Sequence, residues 1–82
     1  MPKRFRPTER DRAFLKALTT LQAEKPWLPK WTEIAAEAQI HAGTVQDCAV
    51  RLKKNGFISY EPRDHRTTHI LPEGRAYLEA QP

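Results

Sequence analysis

Gly56 divides this chain into two hydrophobic periods, and that division constrains its fold more than any other feature. Before Gly56, apolar residues recur at helical spacing; after it they fall into short β-like runs. Phe14, Leu18 and Leu21 stand at i, i+4 and i+7, which predicts an amphipathic helix over about residues 9–24. Thr8 is a good N-cap for it, with Asp11 three residues on in a variant of the capping box. Pro26 stops that helix. Thr32 is the next N-cap candidate, and Ile34, Ala35 and Ala38 give a short helix over roughly 33–38. A third helix runs from about Ala42 to Asn55, burying Val45, Ala49 and Leu52 with Cys48 at the margin. Gly56 ends it, since glycine takes the left-handed conformation that closes a helix at least cost.

Beyond Gly56, residues 57–61 and 68–71 suit two strands, and the polar run 62–66 suits the tip between them. Pro72 is acceptable at the first position of a helix, and Arg75, Ala76, Tyr77 and Leu78 continue a short one that Gly74 weakens. The order is therefore helix, helix, helix, hairpin, short helix. This is an α+β chain with a three-helix core, a two-stranded β-hairpin and a short C-terminal helix.

Size and charge narrow the function classes. Eighty-two residues make one small domain, too small to hold a substrate domain beside a cofactor domain. Residues 1–7 read as a basic N-terminal arm and residues 8–80 as the folded unit. No apolar run approaches a membrane span, and one cysteine excludes an intramolecular disulfide, which suits a reducing cytoplasm. His65 and His69 lack further ligands nearby, so no metal is expected, and Cys48 reads as a small buried hydrophobe rather than a nucleophile with His41 as base. The chain carries no glycine-rich phosphate loop and no Ser/His/Asp arrangement, so neither an enzyme, a cofactor nor a small-molecule effector is expected. Trp27 and Trp31 read as a loop pinned to the core; the alternative is a partner-facing surface.

The formal charge of +4 is clustered. Lys3, Arg4, Arg6, Arg10 and Arg12 fall in the first twelve residues against Glu9 and Asp11. Arg51, Lys53 and Lys54 form a second cluster, and Arg63 and Arg66 a third. Any one patch alone reads as a solvated surface. Three patches, each beside a structural signal, point to nucleic acid. The third helix supplies a polar face of Thr44, Gln46, Asp47, Val50, Arg51 and Lys54 opposite its apolar one. Such a helix fits the major groove of duplex DNA. Gln46 suits an adenine, Arg51 a guanine or a phosphate, and Asp47 either accepts from cytosine or pairs with Arg51 at i, i+4. Small Ala42 and Gly43 let the backbone approach closely.

These residues resemble the winged helix-turn-helix regulators. The run Thr32-Glu33-Ile34-Ala35-Ala36-Glu37, then Ile40, Gly43-Thr44-Val45, Leu52 and Lys54-Asn55-Gly56-Phe57-Ile58, is similar to the DNA-binding domain of LexA-type repressors. The hairpin, with Asp64-His65-Arg66, Leu71 and Gly74-Arg75, resembles the wing of the MarR family. Pro72 departs from the threonine usual there, and His41 from the serine-like cap common before the recognition helix. The resemblance implies a wing in which Arg66 enters the minor groove and Asp64 steadies it, with Thr44, Gln46, Asp47 and Arg51 facing DNA. Lys53, Lys54, Arg63 and the arm residues Lys3, Arg4 and Arg6 would add phosphate contacts. It does not carry over effector sensing or self-cleavage. The expectation is a small double-stranded-DNA-binding transcriptional regulator, acting as a dimer or with neighbours on DNA. The alternatives are a protein-interaction winged helix, and an architectural or recombination accessory factor.

Overall fold

The computed structural model describes residues 6–24 and 29–80, with the side chains of His65 and Arg66 outside the described set. Four helices and a two-stranded antiparallel hairpin follow one another in the order α1 (Glu9–Glu24), α2 (Trp31–Ala38), α3 (Ala42–Lys54), β1 (Ile58–Glu61), β2 (Asp64–Ile70) and α4 (Pro72–Glu79). The chain is thus α+β, with the hairpin after three helices. No helix among the described residues is long and apolar enough to cross a membrane.

One cluster of apolar side chains holds the elements together. Phe14, Leu15 and Leu18 from α1, Ile34 from α2, Val45, Ala49 and Leu52 from α3, and Ile58 from β1 are all essentially inaccessible. Cys48 lies fully inside this cluster, not at its margin, because α3 turns its 45/48/49/52 face squarely onto α1 and α2. Burial pushes the Cys48 thiol up, and the Asp11 hydrogen bond and charge push it further, to about 12, so it stays protonated.

Local signals set most boundaries. Thr8 and Asp11 start α1 reciprocally: the Thr8 amide donates to Asp11 Oδ2 at 2.9 Å, and the Asp11 amide to Thr8 Oγ1 at 3.2 Å. α2 begins earlier than Thr32. Its N-cap is Lys30, whose amide donates to Glu33 Oε1 at 2.9 Å, so the Glu33 carboxylate, not a threonine hydroxyl, satisfies the helix start. Trp31 therefore belongs to the first turn of α2; Trp27 lies outside the described residues. Gln39 closes α2 with φ 60°, and Gly56 stands beyond α3 with φ 80°. Both ends share one pattern: Ile40 donates back to the Ala35 carbonyl and Phe57 to that of Leu52.

The hairpin is tighter at its tip than expected and longer on its return. Only Pro62 and Arg63 separate the strands, so Asp64 and Arg66 stand in β2 rather than in the tip. Ile58 pairs with Ile70 and Ser59 with His69, but Glu61 pairs with Asp64, so β2 bulges between Ser59 and Glu61 of its partner. Thr67 stitches the bulge: its hydroxyl accepts from the Glu61 amide at 2.6 Å and donates to the Asp64 carbonyl at 2.8 Å. Phe57 precedes β1, and Leu71 caps α4. Pro72 opens α4, and Gly74 lets that helix close onto the backbone at Phe57, where a Cβ would overlap the Phe57 carbonyl oxygen.

Candidate nucleic-acid interface

The candidate interface is α3, which two long-range tethers position. The first is an ion pair. Asp11, fully buried at the start of α1, accepts from the Arg51 guanidinium at 2.6 Å, while the Arg51 side chain remains 45% exposed. Arg51 also approaches the Cys48 sulfur at 3.8 Å. Burial raises the Asp11 pKa, but the Arg51 hydrogen bond, the Thr8 amide and the Arg51 charge outweigh it, so the carboxyl sits below its ordinary value. The same hydrogen bond raises the Arg51 pKa. Arg51 thus pairs with a carboxylate 40 residues away; of the two roles open to Asp47, the i, i+4 ion pair with Arg51 is not formed, and Asp47 contributes only charge.

The second tether joins α2, α3 and the hairpin. The Trp31 indole N–H donates to the Oγ1 of fully buried Thr68 at 2.8 Å. Tyr60 meets the Trp31 ring edge-on, with centroids 5.2 Å apart. Lys53 reaches from α3 to donate to the Tyr60 carbonyl at 2.9 Å, its ammonium 4.5 Å from the centre of the Tyr60 ring. The hairpin is thereby hooked to both helices of the α2–α3 pair.

The outward side of α3 is left to solvent. Ala42, Gly43, Gln46, Asp47, Val50, Arg51 and Lys54 are exposed, and Thr44 is half-buried. A cavity of about 470 Å³ lies between the start of α1 and this helix, bordered by Thr8, Arg10, Thr44, Asp47 and Arg51. His41 caps α3 by its backbone without a side-chain hydrogen bond. A Cβ at Gly43 would meet nothing within 4 Å, so packing within the protein does not call for glycine there. That position costs about 1 kcal/mol relative to alanine in a helix.

The sequence-predicted residues therefore fall into three groups. Thr44, Gln46, Asp47, Arg51 and Lys54 share the outward side of α3 or its edge. Lys53 is folded back on Tyr60, and Arg51 is tied to Asp11. Arg63 is exposed at the hairpin turn, with Asp64 half-buried next to it. Arg66 belongs to β2, with its side chain outside the described set. Arg6 is exposed at the N-terminal end; Lys3 and Arg4 lie outside the described residues. Asp11 and Thr68 are the site residues that sequence reasoning assigned no such role. Asp11 was visible as a cap, but its guanidinium partner was not. Among the described residues, no group of three His, Cys, Asp or Glu side chains could hold a metal ion. No protein-family model matches the chain, and no curated protein matches it.

Proposed function

We propose that this chain is a winged-helix module that binds double-stranded DNA sequence-specifically, as a small transcriptional regulator in the cytoplasm. One observation carries the reading: α3 turns outward a side that the core does not use, carrying Gln46, Arg51 and Lys54, and the hairpin is hooked beside it through Trp31, Thr68, Lys53 and Tyr60. On this reading α3 enters the major groove, with Gln46 toward base edges and Thr44, Arg51 and Lys54 toward bases or phosphates. The hairpin is the wing, and Arg63 and Arg66 contact the minor groove or its flanking phosphates. The arm residues Lys3, Arg4 and Arg6 add salt-sensitive affinity. One such module buries only about 600–1,000 Å² on DNA, so a second copy on a neighbouring half-site supplies the remaining specificity.

The test is a salt titration of binding to duplex DNA by fluorescence anisotropy. Four phosphate contacts, from Arg51, Lys54, Arg63 and Arg66, give a slope of log K against log salt of about −3.6, and arm contacts steepen it. Undetectable binding at about 50 mM salt refutes the reading. Selection from a random duplex pool then reports the motif, and its half-site spacing reports the number of copies.

A further inference from the structure

Val50 is the large hydrophobic side chain that the fold leaves exposed among the described residues, at 50%. Its place on α3 is specific. The buried residues Val45, Cys48, Ala49 and Leu52 define one side of the helix. At 100° per residue, Gly43, Val50 and Lys54 lie at the middle of the opposite side. Gln46 is one turn before Val50 along the same row, and Lys54 one turn after it. Gly43, two turns before Val50, is a glycine for which neither internal packing nor a positive φ calls. Two choices that the fold leaves unexplained, an exposed valine and an open glycine, thus coincide on one line down the outward side.

Two of the three cations of α3 are engaged within the fold. Arginine reads guanine through a bidentate fork to O6 and N7. One terminal nitrogen of Arg51 is already engaged by Asp11 at 2.6 Å, and Lys53 is folded onto Tyr60. Lys54 is left at the far end of the row. The middle of the row offers an amide and a branched aliphatic group. An amide pairs with adenine N6 and N7, and an aliphatic group packs on the thymine C5-methyl.

Building on the DNA-binding reading of α3, we propose that Val50 and Gln46 together recognise A·T base pairs in the major groove. Val50 packs on a thymine methyl group, Gln46 pairs with a neighbouring adenine, and Gly43 admits the DNA backbone at the start of the helix. The ligand is duplex DNA whose A·T pairs carry their C5-methyl groups. The tethered Arg51 serves a phosphate, not a guanine.

The experiment starts from a duplex selected from a random pool and replaces each thymine singly with deoxyuridine, which lacks only the C5-methyl. Binding is measured by anisotropy for the full wild-type chain, Val50→Ala and Val50→Thr. Wild type should lose about fourfold in affinity at one thymine position, the worth of one buried methyl group. Val50→Ala should bind the parent duplex more weakly and be indifferent to deoxyuridine there; Val50→Thr, which keeps one methyl, should fall between. Because Val50 is half-exposed, all three should melt within a few degrees of one another. Sequence-specific binding with no deoxyuridine effect at any thymine overturns the proposal and leaves the DNA reading standing. An effect of equal size in Val50→Ala also overturns it, since another residue then reads the methyl. Failure of the wild type to bind any duplex removes both.

Discussion

Arg51→Ala should destabilise the fold although the side chain it removes is nearly half exposed. The reason lies at the other end of the contact. Asp11 is fully buried, and Arg51 is its ion-pair partner at 2.6 Å. A hydrogen bond to a charged group is worth about 1.5–3 kcal/mol, and removing one partner of a fully buried pair costs about 3–5. Arg51 is 45% exposed, so solvent screens its half of the interaction and the lower range applies. The expected cost is about 2 kcal/mol at pH 7, or a Tm lowered by roughly 8–16 °C for a domain of this size. Lys54→Ala, an exposed neighbour on the same helix, is the control and should stay within about 0.5 kcal/mol. Asp11→Asn keeps an acceptor for the Thr8 amide but removes the charge, and should fall between the two. The pH dependence has a defined sign. The native carboxyl lies below its unfolded value of 3.8, so its contribution is fully present well above that value and fades as pH falls through the lower native one. Urea titrations at pH 7 and in acid should therefore show the gap between wild type and Asp11→Asn closing toward low pH. Equal denaturation midpoints for Arg51→Ala and Lys54→Ala at pH 7 would refute the tether.

Three further substitutions probe separate joints of the fold. Gly74→Ala improves helix propensity but places a methyl against the Phe57 carbonyl and within 3.0 Å of Ile70 Cγ1, so it should destabilise by about 1–3 kcal/mol, read from urea melts. Gln39→Gly relieves a side chain held at φ 60° and should raise stability by about 0.5–1 kcal/mol, with a higher Tm. Thr68→Val removes the hydroxyl that accepts from the Trp31 indole and should cost about 1–2 kcal/mol, with a change in tryptophan emission in the native state.

What could be read from the sequence was local. Thr8 and Asp11 are three residues apart, and their hydrogen bonds are those a capping box makes. Gly56 and Pro72 act through their own backbone dihedrals, so the end of α3 and the start of α4 fell where expected. The errors were also local ones, decided by long-range packing. Trp31 opens α2 because Glu33 accepts from the Lys30 amide, and its indole N–H is then held by Thr68, 37 residues on, a contact that local spacing does not encode. Gly74 looked like a weak point in a helix; its value lies in an approach to Phe57 that helix periodicity does not encode. The hairpin tip looked five residues long because the bulge pinned by Thr67 leaves polar residues inside β2. In α3, the outward positions followed from the buried ones by periodicity alone. The tethering of Arg51 and Lys53 did not, since both partners lie on other elements.

That tethering changes what a basic cluster means in a chain this small. Arg51, Lys53 and Lys54 look equivalent in sequence, yet two of them are engaged in holding α3 to α1 and to the hairpin. Under the DNA-binding reading, this is preorganisation. An interface whose side chains are fixed beforehand loses less conformational entropy on binding than one that orders them at contact. The hook of Trp31 on Thr68 does the same for the hairpin, setting its position against α3 before any ligand arrives. Part of the +4 charge is therefore structural as well as attractive. On that reading, mutating those cations perturbs stability and binding together, whereas mutating Gln46, Val50 or Lys54 perturbs binding alone. A binding defect in Arg51→Ala or Lys53→Ala consequently counts as evidence about DNA contact only after the change in folding stability has been subtracted.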